Sequence, residues 1–153
     1  MAYLLHDCHM NSVITSICLL FCFAIPSLGT TSPLKECNGT LRERQAIVDT
    51  EDLALYQRYG EGHLIADHSE SEVGGLWRME SVSVGDVGIL YTDDGAQFYE
   101  CTAIVKAKRG KNAYNFRGKP FYPDKGDIVC VSCADERGDW VYAAYFDYCF
   151  TEP

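Results

Sequence analysis

The sequence carries little positive charge, and little of it is gathered. Thirteen Lys and Arg stand against 22 Asp and Glu, a net charge of −9. Nucleic-acid backbones and anionic membranes bind clustered cations, so neither is expected as a partner. The one small group, Lys106, Lys108, Arg109 and Lys111, reads as the solvated end of a hairpin. Internal repeats and low-complexity tracts are also lacking, which excludes solenoids and disordered tails. Past residue 60 no helical periodicity of useful length is found.

Between Asn11 and Leu34 charge is missing altogether. The stretch SVITSICLLFCFAIPSLGT is mostly apolar, and two export readings of it stand. One is a secretory signal cleaved after Gly29, with Ser27 and Gly29 as the small residues. The other is an uncleaved membrane anchor over residues 11–28, near the lower spanning limit of about 17 residues. A buried N-terminal helix is the bland alternative. No Lys or Arg precedes the stretch, which fits neither export reading well. The mature region is expected outside the cytoplasm, secreted or held at the cell surface.

What is present is globular. Hydrophobic residues make up 47% and charged residues 23%, enough for one packed domain. Ten Tyr, seven Phe and two Trp beside thirteen Gly favour a mainly β fold. Residues 1–30 divide off as leader or anchor, 31–60 as a linker and short helix, and 61–153 as the β domain. The helix is expected after Thr50, with Glu51 and Asp52 at its positive end, LALYQRY as its body and Gly60 as its stop. HLIAD at 63–67, the turn VSVGD and the hairpin GILYTDDGAQFYECTAIV then follow. NAYNFRGKPFYPDKGD reads as a long loop, and DIVCVSC and DWVYAAYFDYCF as the last strands. Strands in series imply a sandwich or a barrel.

Chemistry concentrates at Cys130 and Cys133. A disulfide, half a metal site and a single reactive thiol compete. Along a strand side chains alternate, so the two sulfurs face opposite ways. Their Cα atoms lie about 10 Å apart, beyond the roughly 7 Å a disulfide tolerates. A redox pair needs a helix N-terminus, and none is visible. Zinc needs further ligands, and past the apolar stretch only His63, His68, Cys101 and Cys149 are on offer. Glu70, Glu72, Asp93 and Asp94 are a weak calcium set, better read as charged turns. No cofactor or metal is expected. The reactive thiol remains: Cys133 ends its strand with Val129 and Val131 on its face. Histidine is the usual activator of a thiol. His68 also ends a short apolar strand, and is either that activator or a surface residue in a turn.

The order of these pieces resembles the sortase family, the cysteine transpeptidases of Gram-positive cell envelopes. IADH, VSVGD, the DDG hairpin, DIVCVSC and WVYAAYF fall in that family's order from about Gly62 to Phe146, with histidine before cysteine. The resemblance implies a closed or partly open sortase-like β-barrel with a short N-terminal helix and an active cleft at one rim. It implies that Cys133 forms a thioacyl-enzyme on a peptide sorting signal and that His68 exchanges protons with the leaving amine and the incoming amine acceptor. The family's last-strand arginine is not matched: Trp140 or Val141 stands there. Arg137, in the preceding loop, is the nearest substitute, either reaching the cleft or facing solvent. Without such a cation, a secreted β-barrel that binds or adheres and has lost the chemistry is the competing function.

Overall fold

A strand buried on both faces reads as an unbroken apolar run, and two such runs set this architecture. One is Cys22–Ile25 (β1) and the other Ile128–Cys133 (β9); every residue of both is buried except Cys133, which is half-buried. The computed structural model describes residues 21–50, 53–67, 80–111, 113–135 and 137–153. The remaining described strands are Thr30–Glu36 (β2), Ala54–Tyr59 (β3), Gly62–Asp67 (β4), Val87–Thr92 (β5), Gly95–Arg109 (β6), Tyr114–Phe116 (β7), Lys119–Pro120 (β8) and Trp140–Glu152 (β10); the described helices are the α-helix Leu41–Val48 (α1) and a 3-10 turn, Pro26–Leu28.

The strand order is β10-β9-β4-β3-β2-β1-β5-β6, and β6 returns to pair with β10. The ring is therefore a closed eight-stranded barrel, with β7 and β8 extending from β6. Closure leaves no open edge within the ring. Two neighbours are parallel, β2 with β3 and β4 with β9; every other pairing is antiparallel.

Two apolar clusters lie on the two sides of the wall. The interior is filled by Phe23, Ile25, Ile65, Leu90, Tyr99, Cys101, Cys130 and Phe146, among others. Phe23 makes edge contacts with Phe146 and Tyr99 at centroid distances of 5.4 and 6.4 Å. Gly88 lets these rings approach: a Cβ there would run into Phe23 and lie 2.9 Å from Phe146. The outer cluster holds Leu55, Tyr59, Leu64, Ala66, Val129, Val131 and Val141, and Ile47 of α1 packs on it.

Several expectations need correction. The helix does not run from Thr50 to Gly60, nor does it precede the barrel; α1 lies between β2 and β3. Thr40 caps it, accepting from the Glu43 N–H while the Glu43 carboxylate accepts from the Thr40 N–H at 2.6 Å. That capping box is legible in GTLRE. Residues 54–59 instead alternate as a strand, with Leu55 and Tyr59 in the outer cluster and Ala54 and Tyr56 with the interior one. Gly60, at φ 63°, opens the two-residue loop joining β3 to β4 rather than ending a helix. The long loop after residue 112 contains the small β7–β8 hairpin. The barrel also uses β1 to β3, ahead of the region from residue 61. The DDG hairpin and the Gly-Asp turn are as expected: Thr92 pairs with Gly95, and the Asp86 N–H donates to Ser83 O at 3.0 Å. Most of the apolar leader segment, residues 1–20, lies outside the described residues. Among the described residues no helix is long and apolar enough to cross a membrane.

Gly88→Ala is expected to destabilise the barrel by about 1–3 kcal/mol, the range for overpacking a filled core. A lowered urea midpoint with an unchanged slope is the expected observation.

Candidate functional site

Parallel pairing brings two strand ends to one rim. β4 and β9 run side by side with Asp67 opposite Ser132, so both strands finish together. Cys133 is the last residue of β9. Asp67, the last of β4, is buried, and so is Ser132. His68, which follows Asp67 in the sequence, lies outside the described residues, as do Glu70 and Glu72.

Cys130 and Cys133 face opposite sides of the wall, as strand alternation requires. Cys130 is in the interior cluster, where burial pushes its thiol well above the usual range. Cys101, also interior, is pushed up to about 11 by the same cause. Both are poor nucleophiles at neutral pH. Both Cys130 and Cys133 are thiols, with no bond between them. Cys133 lies on the outer side, in a cleft of about 720 Å³. The strand residues Leu64, Ala66, Val131 and Val141 contribute an apolar surface to that cleft, and Tyr59, Tyr114 and Tyr122 an aromatic one.

The β10 neighbour of Cys133 is Val141, buried in the outer cluster. Trp140 turns outward, with Lys106 Nζ 5.9 Å from its ring. No guanidinium comes from this strand at this level. The next strand supplies one. Val141 pairs with Ala107 of β6, and Arg109, two residues further, emerges on the same face. Its guanidinium carbon lies 3.9 Å from the Cβ position of Gly138, and Cys133 Sγ lies 3.8 Å from that same point. The Arg109 N–H donates to Asp139 O at 2.8 Å, which ties the end of β6 to the loop before β10. Arg137, in that loop, is exposed and also lines the cleft.

Tyr114 reports the local electrostatics. Burial raises its phenol above the usual range; the Arg109 and Arg44 charges oppose that shift and the Cys133 sulfur adds to it. Its N–H donates to Tyr59 Oη at 2.8 Å, fixing the β6–β7 hairpin over the outer face. Tyr59, mainly through burial, is pushed up to about 12 and stays a neutral phenol. The site therefore offers a thiol at a strand end, a cation beside it, an apolar floor and fixed aromatic walls. This set suits a nucleophile acting on an extended peptide.

Of the site residues singled out in the sequence, Cys133 and Arg137 line the cleft; Arg109, which lines it too, is not among them. The signal was there: in IVKAKR, Arg109 shares its phase with Val105 and Ala107, whereas Lys106 and Lys108 fall on the other face. Among the described residues no cluster of three or more His, Cys, Asp and Glu is placed to hold a metal. His63 is not among the cleft residues; its ring stacks on Tyr56 at 4.7 Å. Burial lowers its pKa, the nearby Glu36 opposing and Arg58 assisting. A histidine held below its unfolded value binds fewer protons when folded. Its contribution to stability is therefore complete above about pH 6.5 and is lost as pH falls toward the folded value. His63→Phe keeps the stack and removes the titration. The wild-type-minus-variant difference in unfolding free energy is expected to rise from pH 5 to pH 6.5 and then flatten.

No protein-family profile matches the sequence, and no curated protein does. Solved structures do. Sortase E1 from Streptomyces coelicolor, solved with a tripeptide in its active site, superposes with a TM-score of 0.67 at 12% identity, over 88% of this chain and 90% of that one. Sortase A of Listeria monocytogenes gives 0.66 at 15%, over 88% and 90%. A lid mutant of Corynebacterium diphtheriae sortase A gives 0.64 at 16%, over 99% and 81%. The eight-stranded barrel, with its thiol at the end of β9, is thus built on the sortase fold.

Proposed function

We propose that the chain is a sortase-like cysteine transpeptidase of the cell envelope. The observation that carries this reading is the position of Cys133: at the end of β9, beside the end of β4, in a cleft that also receives Arg109. A buried structural thiol has no use for a neighbouring guanidinium and an open peptide-sized cleft; a nucleophile does. The likeness to sortases adds the reaction class, and a tripeptide occupies the active site of one of them.

In this reading Cys133 Sγ attacks the carbonyl carbon of a peptide bond in a sorting signal. The oxygen takes up negative charge, and Arg109 lies where a cation can stabilise it. Collapse breaks the C–N bond, and the leaving amine takes a proton from the His68 imidazolium, leaving a thioester on Cys133. An amine acceptor then gives its proton to the neutral His68 and attacks the thioester. The C–S bond breaks and the sulfur returns as the thiolate. His68 is assigned by sequence: it directly follows Asp67, whose strand ends level with β9. Arg137 is a second cation of the same cleft.

The competing reading, a non-catalytic binding or adhesion barrel, has one observation in its favour: Val141 and Trp140 occupy the β10 level where the resemblance implies an arginine. Incubation of the purified chain with a peptide library and an amine acceptor separates the two. New amide products are expected by mass spectrometry, absent with Cys133→Ala and strongly reduced with His68→Ala. Arg109→Gln is expected to lower kcat by about 10²–10³, the effect of removing one oxyanion donor, and Arg137→Gln by less. No product, together with a Cys133 thiol that iodoacetamide alkylates no faster than a simple exposed thiol, would establish the adhesion reading instead.

A further inference from the structure

The described residues of the cleft carry the opposite charge to the chain as a whole. The chain carries −9 overall, yet Arg44, Arg109, Lys111 and Arg137 line this depression. Arg58 and Asp67 also border it. Asp135 is the remaining carboxylate among the described lining residues, and it is engaged in its own turn, accepting from the Asp139 N–H at 3.0 Å. Arg44 is braced by its hydrogen bond to Gln57 Oε1 at 2.9 Å, and Arg109 by its strand position.

We infer that this cleft selects an anionic peptide, one with acidic side chains close to the bond it presents to Cys133. This rests on the reading of Cys133 as the reactive thiol and adds the substrate class. Several cations converging over an apolar floor with low-dielectric walls create a local positive potential that strengthens toward its centre. Solvated lysines and arginines scattered over an acidic surface do not have this effect, because neighbouring carboxylates and salt cancel them. Among the described lining residues five cations stand against two carboxylates across a single groove, an excess of positive charge. An acidic peptide gains from each cation it approaches, whereas a basic one is repelled.

Alkylation with iodoacetate and iodoacetamide tests this, because the two reagents differ in charge far more than in shape. The probe is the full chain, with Cys133 followed by residue-resolved mass spectrometry and N-acetylcysteinamide as the neutral reference thiol. The expected iodoacetate-to-iodoacetamide rate ratio at Cys133 exceeds the reference ratio by about tenfold at low salt, the lower end of electrostatic rate enhancement. Arg109→Gln with Arg137→Gln, or 0.5 M salt, is expected to bring it back toward the reference. A ratio at or below the reference overturns the proposal, since the field of the whole chain already opposes an anion. If Cys133 reacts with neither reagent, equilibrium binding to the Cys133→Ala chain decides, using one peptide in Glu, Gln and Lys versions. Affinity must fall in that order; equal or tighter binding of the Lys version overturns the inference. The iodoacetamide rate alone bears on thiol activation, so failure of the transpeptidase reading is recognised separately from failure of the charge selection.

Discussion

Everything at the site depends on one parallel strand pair. Between Asp67–Ser132 and His63–Ile128, β4 and β9 keep an unbroken register, and two chain segments some 65 positions apart therefore finish at the same height. Parallel strands need a crossover connection, and the chain provides it by sending β5 and β6 around the barrel before β9 returns. A slip of one residue in this pair would turn Cys133 into the interior and present Cys130 or Ser132 to the cleft. The interior apolar set of Ile65, Ile128 and Cys130 opposes such a slip, because it would have to exchange places with Leu64, Val129 and Val131. Core packing and the aim of the sulfur are thus the same constraint.

Much of this was legible in the residues themselves. Period-two alternation separates Cys130 from Cys133 and sets Val129 and Val131 apart from Ile128 and Cys130, because side-chain direction in a strand is purely local. The DDG hairpin and the Gly-Asp turn were equally local. The failures came where two local signals competed. Thr50-Glu51-Asp52 is as good a helix start as Thr40-Leu41-Arg42-Glu43, and LALYQRY has fair helix propensity. What decides for strand is the pairing of residues 54–59 with β4 and β2, which is tertiary information. The apolar stretch shows the same ambiguity. Residues 21–25 are apolar on every position because β1 is covered on both sides, and a doubly covered strand and a lipid-facing segment have one composition.

The cation beside the thiol is hard to read from sequence for a different reason. The resemblance implies an arginine on the last strand, and that strand here offers valine and tryptophan. The barrel wall is continuous, however, so the level of Cys133 extends across β10 to β6 without a break. A charge can be delivered to the same volume from either strand, since adjacent strands lie only about 5 Å apart. Sequence motifs record which residue follows which; they do not record which residue lies across a ladder. Arg109 follows in phase from Ala107, and Ala107 lies across from Val141, so the guanidinium arrives by lateral neighbourhood rather than by linear spacing.

The closing ladder between β6 and β10 has a kinetic meaning. Its register runs from Trp140–Lys108 to Glu152–Ala96, joining the last strand to one formed some forty residues earlier. Until β10 docks, β9 and β6 are the two lips of an unclosed sheet, one bearing the sulfur and the other the guanidinium. Local hairpins such as β5–β6 form early because their loops are short, while a ladder of this sequence separation is assembled late. A nascent or partly opened molecule therefore holds the thiol of β9 without the guanidinium of β6, and only the zipped barrel brings the two together.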